Sequence, residues 1–361
     1  MAVGFPTKVS YANGDVFSSS DINDTNGTIN LLTSSTLSRA AGKNAVINGG
    51  MDIWQRGTTN VTTASVYTAD RWQKGTGTHF GVSRQVTGDT TNLPDIQYCA
   101  RIQRTAASVV TTGMDFAQSF ETVNSIPLAG KTVTLSFYAR KGANYSATSN
   151  TLNAYIYTGT GTDQNIITGF TGSAVGLSLG TTLTSTWQRF TGSATLTSSG
   201  TQFAVYILGT PTGVAGANDY YEITGVQVEL GSVATTFSRA GGTIQGELAA
   251  CQRYYEKSYA QGTDPGTATT TGISGNASGA DTTGYVAPIT TFKVTKRNSP
   301  AVTLYDTAGT INKVSSFNTA GTLTAGKTGT LDPISDTGFR VYETGTSKNG
   351  LFYHYVASSE L

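Results

Sequence analysis

Few side chains in this sequence carry the chemistry of a catalyst. His79 and His354 are its two histidines. Neither has cysteines or carboxylates nearby at metal-ligand spacing, so no zinc site is expected. A Ser-His-Asp or Cys-His relay would have to use one of these histidines, and no motif marks either. Gly-x-Gly matches such as Gly159-Thr-Gly161 fall in Thr-rich turns and do not describe a nucleotide loop. Glycoside hydrolysis needs two carboxyls about 5 to 9 Å apart across a cleft. Asp89 with Asp95, or Asp115 with Glu121, are the pairs at hand, and neither follows a motif. No regular repeat of the kind that builds a long parallel β-helix is visible. The expectation is a protein that is not an enzyme.

The aromatic side chains point to different chemistry. Tyr155 and Tyr157 stand two residues apart in a strand pattern, so their rings share one face and offer a platform for the apolar side of a sugar ring. Tyr138, Tyr145 and Tyr206 add aromatic surface with hydroxyl hydrogen bonding. The competing reading of the pair is an oligomer interface or plain cover for a sheet. Trp54, Trp72 and Trp187 lie inside strand motifs and are expected in the core.

The elements that would position these rings are short strands. The 361 residues are rich in Thr, and 43 are Gly, while only 12% are charged and 10% are aromatic. That composition describes polar-faced strands joined by tight turns. Aromatics spread along the chain argue against disorder. Lys+Arg 23 against Asp+Glu 22 leaves no basic field for nucleic acid. No apolar run approaches a membrane helix, and the start lacks a secretory signal pattern. Two distant cysteines, Cys99 and Cys251, make no disulfide framework. Synthesis in a reducing cytoplasm fits these features.

The pattern divides the chain into three. Residues 1–44 read as a polar segment with a short helix and a thin apolar stripe, suited to oligomerisation or attachment through Phe5, Tyr11, Phe17, Ile22, Ile29 and Leu32. Residues 45–242 carry about nine strand signals, with candidates near 46–55, 79–87, 98–104, 114–121, 132–139, 152–157, 187–196, 203–207 and 223–230. A bulge is expected at Gly225. This predicts an all-β chain with a jelly-roll sandwich. Residues 243–361 begin with a short helix near 244–256 and end in a smaller β domain. Its strands are expected at 289–295, 302–305, 339–343 and 351–356, with loop over 262–284.

Four blocks together resemble the fibre-like and receptor-binding structural proteins of tailed bacteriophages. The first is Asn44-Ala-Val-Ile-Asn-Gly-Gly-Met-Asp-Ile-Trp-Gln-Arg-Gly57, followed by Tyr67-Thr-Ala-Asp-Arg-Trp72. The second is Leu135-Ser-Phe-Tyr-Ala-Arg-Lys141 with Thr186-Trp-Gln-Arg-Phe190. The third is Ala217-Asn-Asp-Tyr-Tyr-Glu-Ile-Thr-Gly-Val-Gln-Val-Glu-Leu-Gly231, running into Phe237-Ser-Arg239. The fourth is Cys251-Gln-Arg-Tyr-Tyr-Glu256, then Phe292-Lys-Val-Thr-Lys-Arg297 and Ser299-Pro-Ala-Val-Thr-Leu-Tyr305. The middle part also resembles jelly-roll carbohydrate-binding modules. The resemblance implies a virion protein on tail or head, usually a homotrimer, joined to other virion proteins by its N-terminus. It would display a face toward bacterial surface polysaccharide and need no cofactor. The alternative is a non-adhesive element, such as a head-decorating fibre or a tail adaptor. The resembled modules often hold a structural calcium between their first and last strands, where this chain offers Asn48, Asp52, Asp219 and Glu222.

Overall fold

The computed structural model describes residues 42–281, 285–286, 289–317, 322–343 and 348–361. Phe5, Tyr11, Phe17, Ile22, Ile29 and Leu32 lie outside the described residues. Between Gln73 and Leu230 the chain forms ten strands, most of them with period-two alternation. They are β1 (Gln73–Lys74), β2 (Phe80–Val86), β3 (Tyr98–Arg104), β4 (Met114–Ser119), β5 (Thr132–Lys141), β6 (Thr151–Gly159), β7 (Ala174–Thr182), β8 (Gln188–Thr195), β9 (Gln202–Gly209) and β10 (Tyr220–Leu230). They pair antiparallel in two sheets, β1-β4-β9-β6-β7 and β2-β3-β10-β5-β8. The chain is all-β, and these sheets form its jelly-roll sandwich.

Apolar residues at every second position fill the space between the sheets. Phe203, Val205 and Ile207 of β9 meet Phe137, Leu135 and Tyr221 of the opposite sheet, all buried. Trp72 stacks on Phe116 with centroids 5.0 Å apart, and Trp54 is buried in the same core. Trp187 belongs instead to a small cluster with Leu93, Ile96 and Cys99 on the outer side of the second sheet.

The expected strand over 46–55 is not formed. Asn48 and Met51 have φ of 56° and 55°, which turns the chain out of an extended path. The turn is used. The pairing of β10 with β3 ends at Ile223, just before the bulge between Thr224 and Gln227, where Gly225 has φ 58°. Residues 44–49 then supply partners to β10: Ala45 N donates to Val228 O, Val226 N to Gly49 O, and Val228 N to Asn44 Oδ1. The turn thereby satisfies backbone groups that would otherwise be buried without partners.

A helix, α1 (Ile244–Gln252), follows the sandwich; Thr243 caps it by accepting from Gly246 N at 3.1 Å. It stops short of the expected residue 256, because β11 (Tyr255–Lys257) joins a further sheet. The remaining strands are β12 (Ser274–Asp281), β13 (Tyr285–Val286), β14 (Thr290–Thr291), β15 (Ala301–Tyr305), β16 (Val314–Phe317), β17 (Leu323–Lys327), β18 (Thr330–Ile334), β19 (Gly338–Glu343) and β20 (Lys348–Ser358). β20 is the spine, pairing with β11 and β15 at one end and with β12 and β16 at the other. The Gly- and Ser-rich stretch expected as loop thus contains a strand, β12: backbone pairing to β20 overrides its poor propensity. In the expected strand over 289–295 only Thr290–Thr291 pairs.

The sandwich and the C-terminal sheets meet in a polar, aromatic joint. Glu360 pairs with Arg56 at 2.9 Å and with Arg71. The Arg71 guanidinium lies 3.5 Å from the Tyr254 ring centroid, and that of Arg56 lies 3.7 Å from Tyr255. Arg253 pairs with Glu121 at 2.8 Å, and Arg297 with Asp163 at 2.9 Å.

Candidate functional site

The inward parity of Leu152, Ala154 and Ile156 turns Asn153, Tyr155 and Tyr157 of β6 onto the outer face of the first sheet. On the neighbouring strand, Tyr206 stands directly opposite Tyr155, and Ala204 opposite Tyr157. The three rings form one cluster: centroids lie 5.6 Å apart for Tyr155–Tyr157, 5.5 Å for Tyr157–Tyr206 and 6.5 Å for Tyr155–Tyr206. All three are half-buried. Ala117 faces Tyr206 from β4 and Ser178 faces Tyr155 from β7, so small side chains flank the rings. The result is a raised aromatic surface on a sheet that fixes its spacing.

The Tyr206 hydroxyl donates to Asp115 Oδ2 at 2.8 Å. Burial and then the Asp115 carboxylate push its pKa up from 10.0, so it remains a donor at neutral pH. Burial and the neighbouring Tyr155 also raise Tyr157. The face therefore offers ring surfaces, phenol hydroxyls, the Asn153 amide and one carboxylate, a set able to stack on a pyranose and hydrogen-bond its hydroxyls. It holds no nucleophile–base pair. Asp115 is engaged by Tyr206, and Glu121 by Arg253.

The other two tyrosines stand elsewhere. Tyr138 is on the outer face of the second sheet, against the Leu93–Trp187 cluster and beneath Arg189, 5.7 Å from its ring centroid. Tyr145 is buried in the sandwich core, where its hydroxyl donates to Thr151 O at 2.8 Å. Tyr206 joins the pair through cross-strand register.

Asn48, Asp52, Asp219 and Glu222 each have their own partners. Asn48 donates to Ile53 O and Asp70 O and accepts from Ile53 N. Asp52 pairs with Arg239 at 2.8 Å, and Asp219 with the buried Arg104 at 2.8 Å. Glu222 is held by Arg101 and Arg140. Among the described residues no group of three or more His, Cys, Asp or Glu could hold a metal ion. A cavity of about 950 Å³ lies away from the tyrosine face, lined by Trp54, Arg84, Tyr98, Arg239, Leu248 and Asp264 among others.

No protein-family model matches the chain, and no curated protein matches it. Three solved structures are similar to part of the chain at low identity. A candidate sugar-binding protein from Bacteroides thetaiotaomicron is 15% identical, covering 52% of this chain and 100% of that one at a TM-score of 0.36. The enzymatically active domain of tailspike protein 4 from bacteriophage CBA120 is 16% identical, covering 52% of this chain and 21% of that one at 0.32. The xylan-binding CBM22-1 domain of Paenibacillus barcinonensis Xyn10C is 13% identical, covering 54% of this chain and 98% of that one at 0.30.

Proposed function

We propose that this chain is an adhesive virion protein of a tailed bacteriophage, a fibre component that holds the tyrosine face of its sandwich toward bacterial surface glycans. The observation that carries the reading is the Tyr155–Tyr157–Tyr206 cluster. Three rings are fixed by two paired strands, with a hydrogen-bonded carboxylate at their margin. Such rings lose little conformational freedom when a sugar settles on them, which is what a shallow site needs. The four sequence blocks support the virion context. Residues 1–44 serve as the attachment and oligomerisation segment, 45–242 as the glycan-binding domain, and 243–361 as a linker helix with a β domain. Three copies would weigh 3 × 37.6 = 112.8 kDa and multiply a weak single contact through effective concentration.

The test is retention on bacterial surface polysaccharides of the wild type and of the Tyr155→Ala/Tyr157→Ala variant, both weighed in solution and checked for folding. Two stacking contacts are worth together about 1–3 kcal/mol, so the variant is expected to bind about five- to 150-fold more weakly. Equal retention by a folded variant refutes the platform. A wild type that binds no polysaccharide and joins only virion proteins points to the non-adhesive structural role.

A further inference from the structure

The outer face of the second sheet carries an arrangement that the tyrosine platform does not use. Arg101 on β3, Glu222 on β10 and Arg140 on β5 stand directly opposite one another across three paired strands. Arg101 donates to Glu222 Oε1 from Nε at 2.8 Å and from Nη2 at 2.6 Å; Arg140 Nε donates to Oε2 at 2.5 Å. The Glu222 side chain is 0% exposed, whereas those of Arg101 and Arg140 are 24% and 25% exposed. Each guanidinium is also held by an aromatic ring, Arg101 at 4.0 Å from the Tyr220 centroid and Arg140 at 4.7 Å from Trp187.

One guanidinium suffices to neutralise a carboxylate. The second is surplus to Glu222, and its further counter-charge is Asp89 on the exposed loop between β2 and β3. Both forks are fixed by a carboxylate and a ring, so the ordering cost of presenting their remaining N–H groups is already met. We propose that Arg101 and Arg140, braced on Glu222, form a receptor for one oxyanion, a carboxylate or phosphate carried on a glycan. The glycan part of this proposal rests on the adhesive role; the anion part stands on the arginines alone. Asp89, on the loop between β2 and β3, is a further carboxylate whose charge interacts with Arg140, and it also accepts hydrogen bonds from Thr91 and Asn92 within its own turn. A bound anion would have to outbid it for Arg140.

The test is native-gel mobility with and without polygalacturonate, which carries carboxylates, or phosphorylated dextran, with a neutral galactan as control. The acidic polymers are expected to retard the wild type. Arg140→Gln should weaken that retardation by up to about fivefold, the effect of removing one close charge at a site about a quarter exposed. Glu222→Gln raises the local charge and should strengthen it, a change of opposite sign that a purely structural triad would not give. The two acidic polymers distinguish carboxylate from phosphate as the group read. Tyr155→Ala/Tyr157→Ala should leave the response to Arg140→Gln intact, so the anion site and the tyrosine platform are read separately. The proposal is overturned if neither acidic polymer retards the wild type, if Arg140→Gln binds as the wild type does, or if Glu222→Gln weakens binding in a folded protein.

Discussion

The buried charges near the joint illustrate what a single residue can decide. Asp70 accepts from Gln55 N at 3.0 Å and lies 3.5 Å from Arg56, with no exposed side-chain surface. Burial pushes its carboxyl up from 3.8 to about 6, against the pull of Arg56. A folded-state pKa above the unfolded one favours the fold at low pH, and that contribution is lost as pH rises through the folded value. The melting temperature of the wild type, taken relative to Asp70→Asn, is therefore expected to fall between pH 4 and 6 and level off above. A difference that stays flat across that window contradicts the assignment. Asp70 stands in the stretch Tyr67-Thr-Ala-Asp-Arg-Trp72, and nothing in its local sequence signals its burial, because part of its surroundings comes from distant segments.

At the scale of elements, the turn over 44–50 shows how a local sequence can look like one structure and serve another. Apolar Val46, Ile47, Met51 and Ile53 suggest a strand. What decides the matter is β10, whose backbone beyond the bulge needs partners that β3 does not provide. Gly49 is the residue this closeness demands: a Cβ there would come within 2.0 Å of Val226 O. Backbone cannot yield as a flexible side chain does, so Gly49→Ala is expected to cost about 1–3 kcal/mol. The midpoint of urea unfolding measures it, and an unchanged midpoint would show that the turn can move. The bulge itself was legible, since Gly225 interrupts the alternation on its own strand. The short strand β1 and the Gly-containing β7 carry little apolar alternation and were not expected.

For the whole molecule, the joint determines whether the sandwich and the C-terminal sheets behave as one body. Glu360 bridges two arginines, and Arg71 is buried, with 2% of its side chain exposed. Removing the carboxylate would strand that guanidinium, a loss of about 3–5 kcal/mol. Calorimetry should give one transition for the wild type and two for Glu360→Ala, as the sandwich and the C-terminal sheets lose their coupling. A single transition in both would place the coupling in the remaining contacts, among them Arg253–Glu121, Arg297–Asp163 and the Gln55 Nε2 hydrogen bond to Tyr255 O. Residues of three short sequence blocks, among them Gln55, Arg56, Arg71, Tyr254 and Tyr255, lie at this joint. These polar and aromatic side chains therefore hold the two parts of the chain together, away from the tyrosine face.

By itself the sequence determined the all-β class, most strands of the sandwich, and the shared face of Tyr155 and Tyr157, because each follows from local alternation and composition. Tertiary structure alone decided that Tyr206 completes that face, that Tyr145 is internal, and that Arg101, Glu222 and Arg140 form one row. Those pairings join residues far apart in the chain, and their meeting depends on strand order and register rather than on any neighbouring residue.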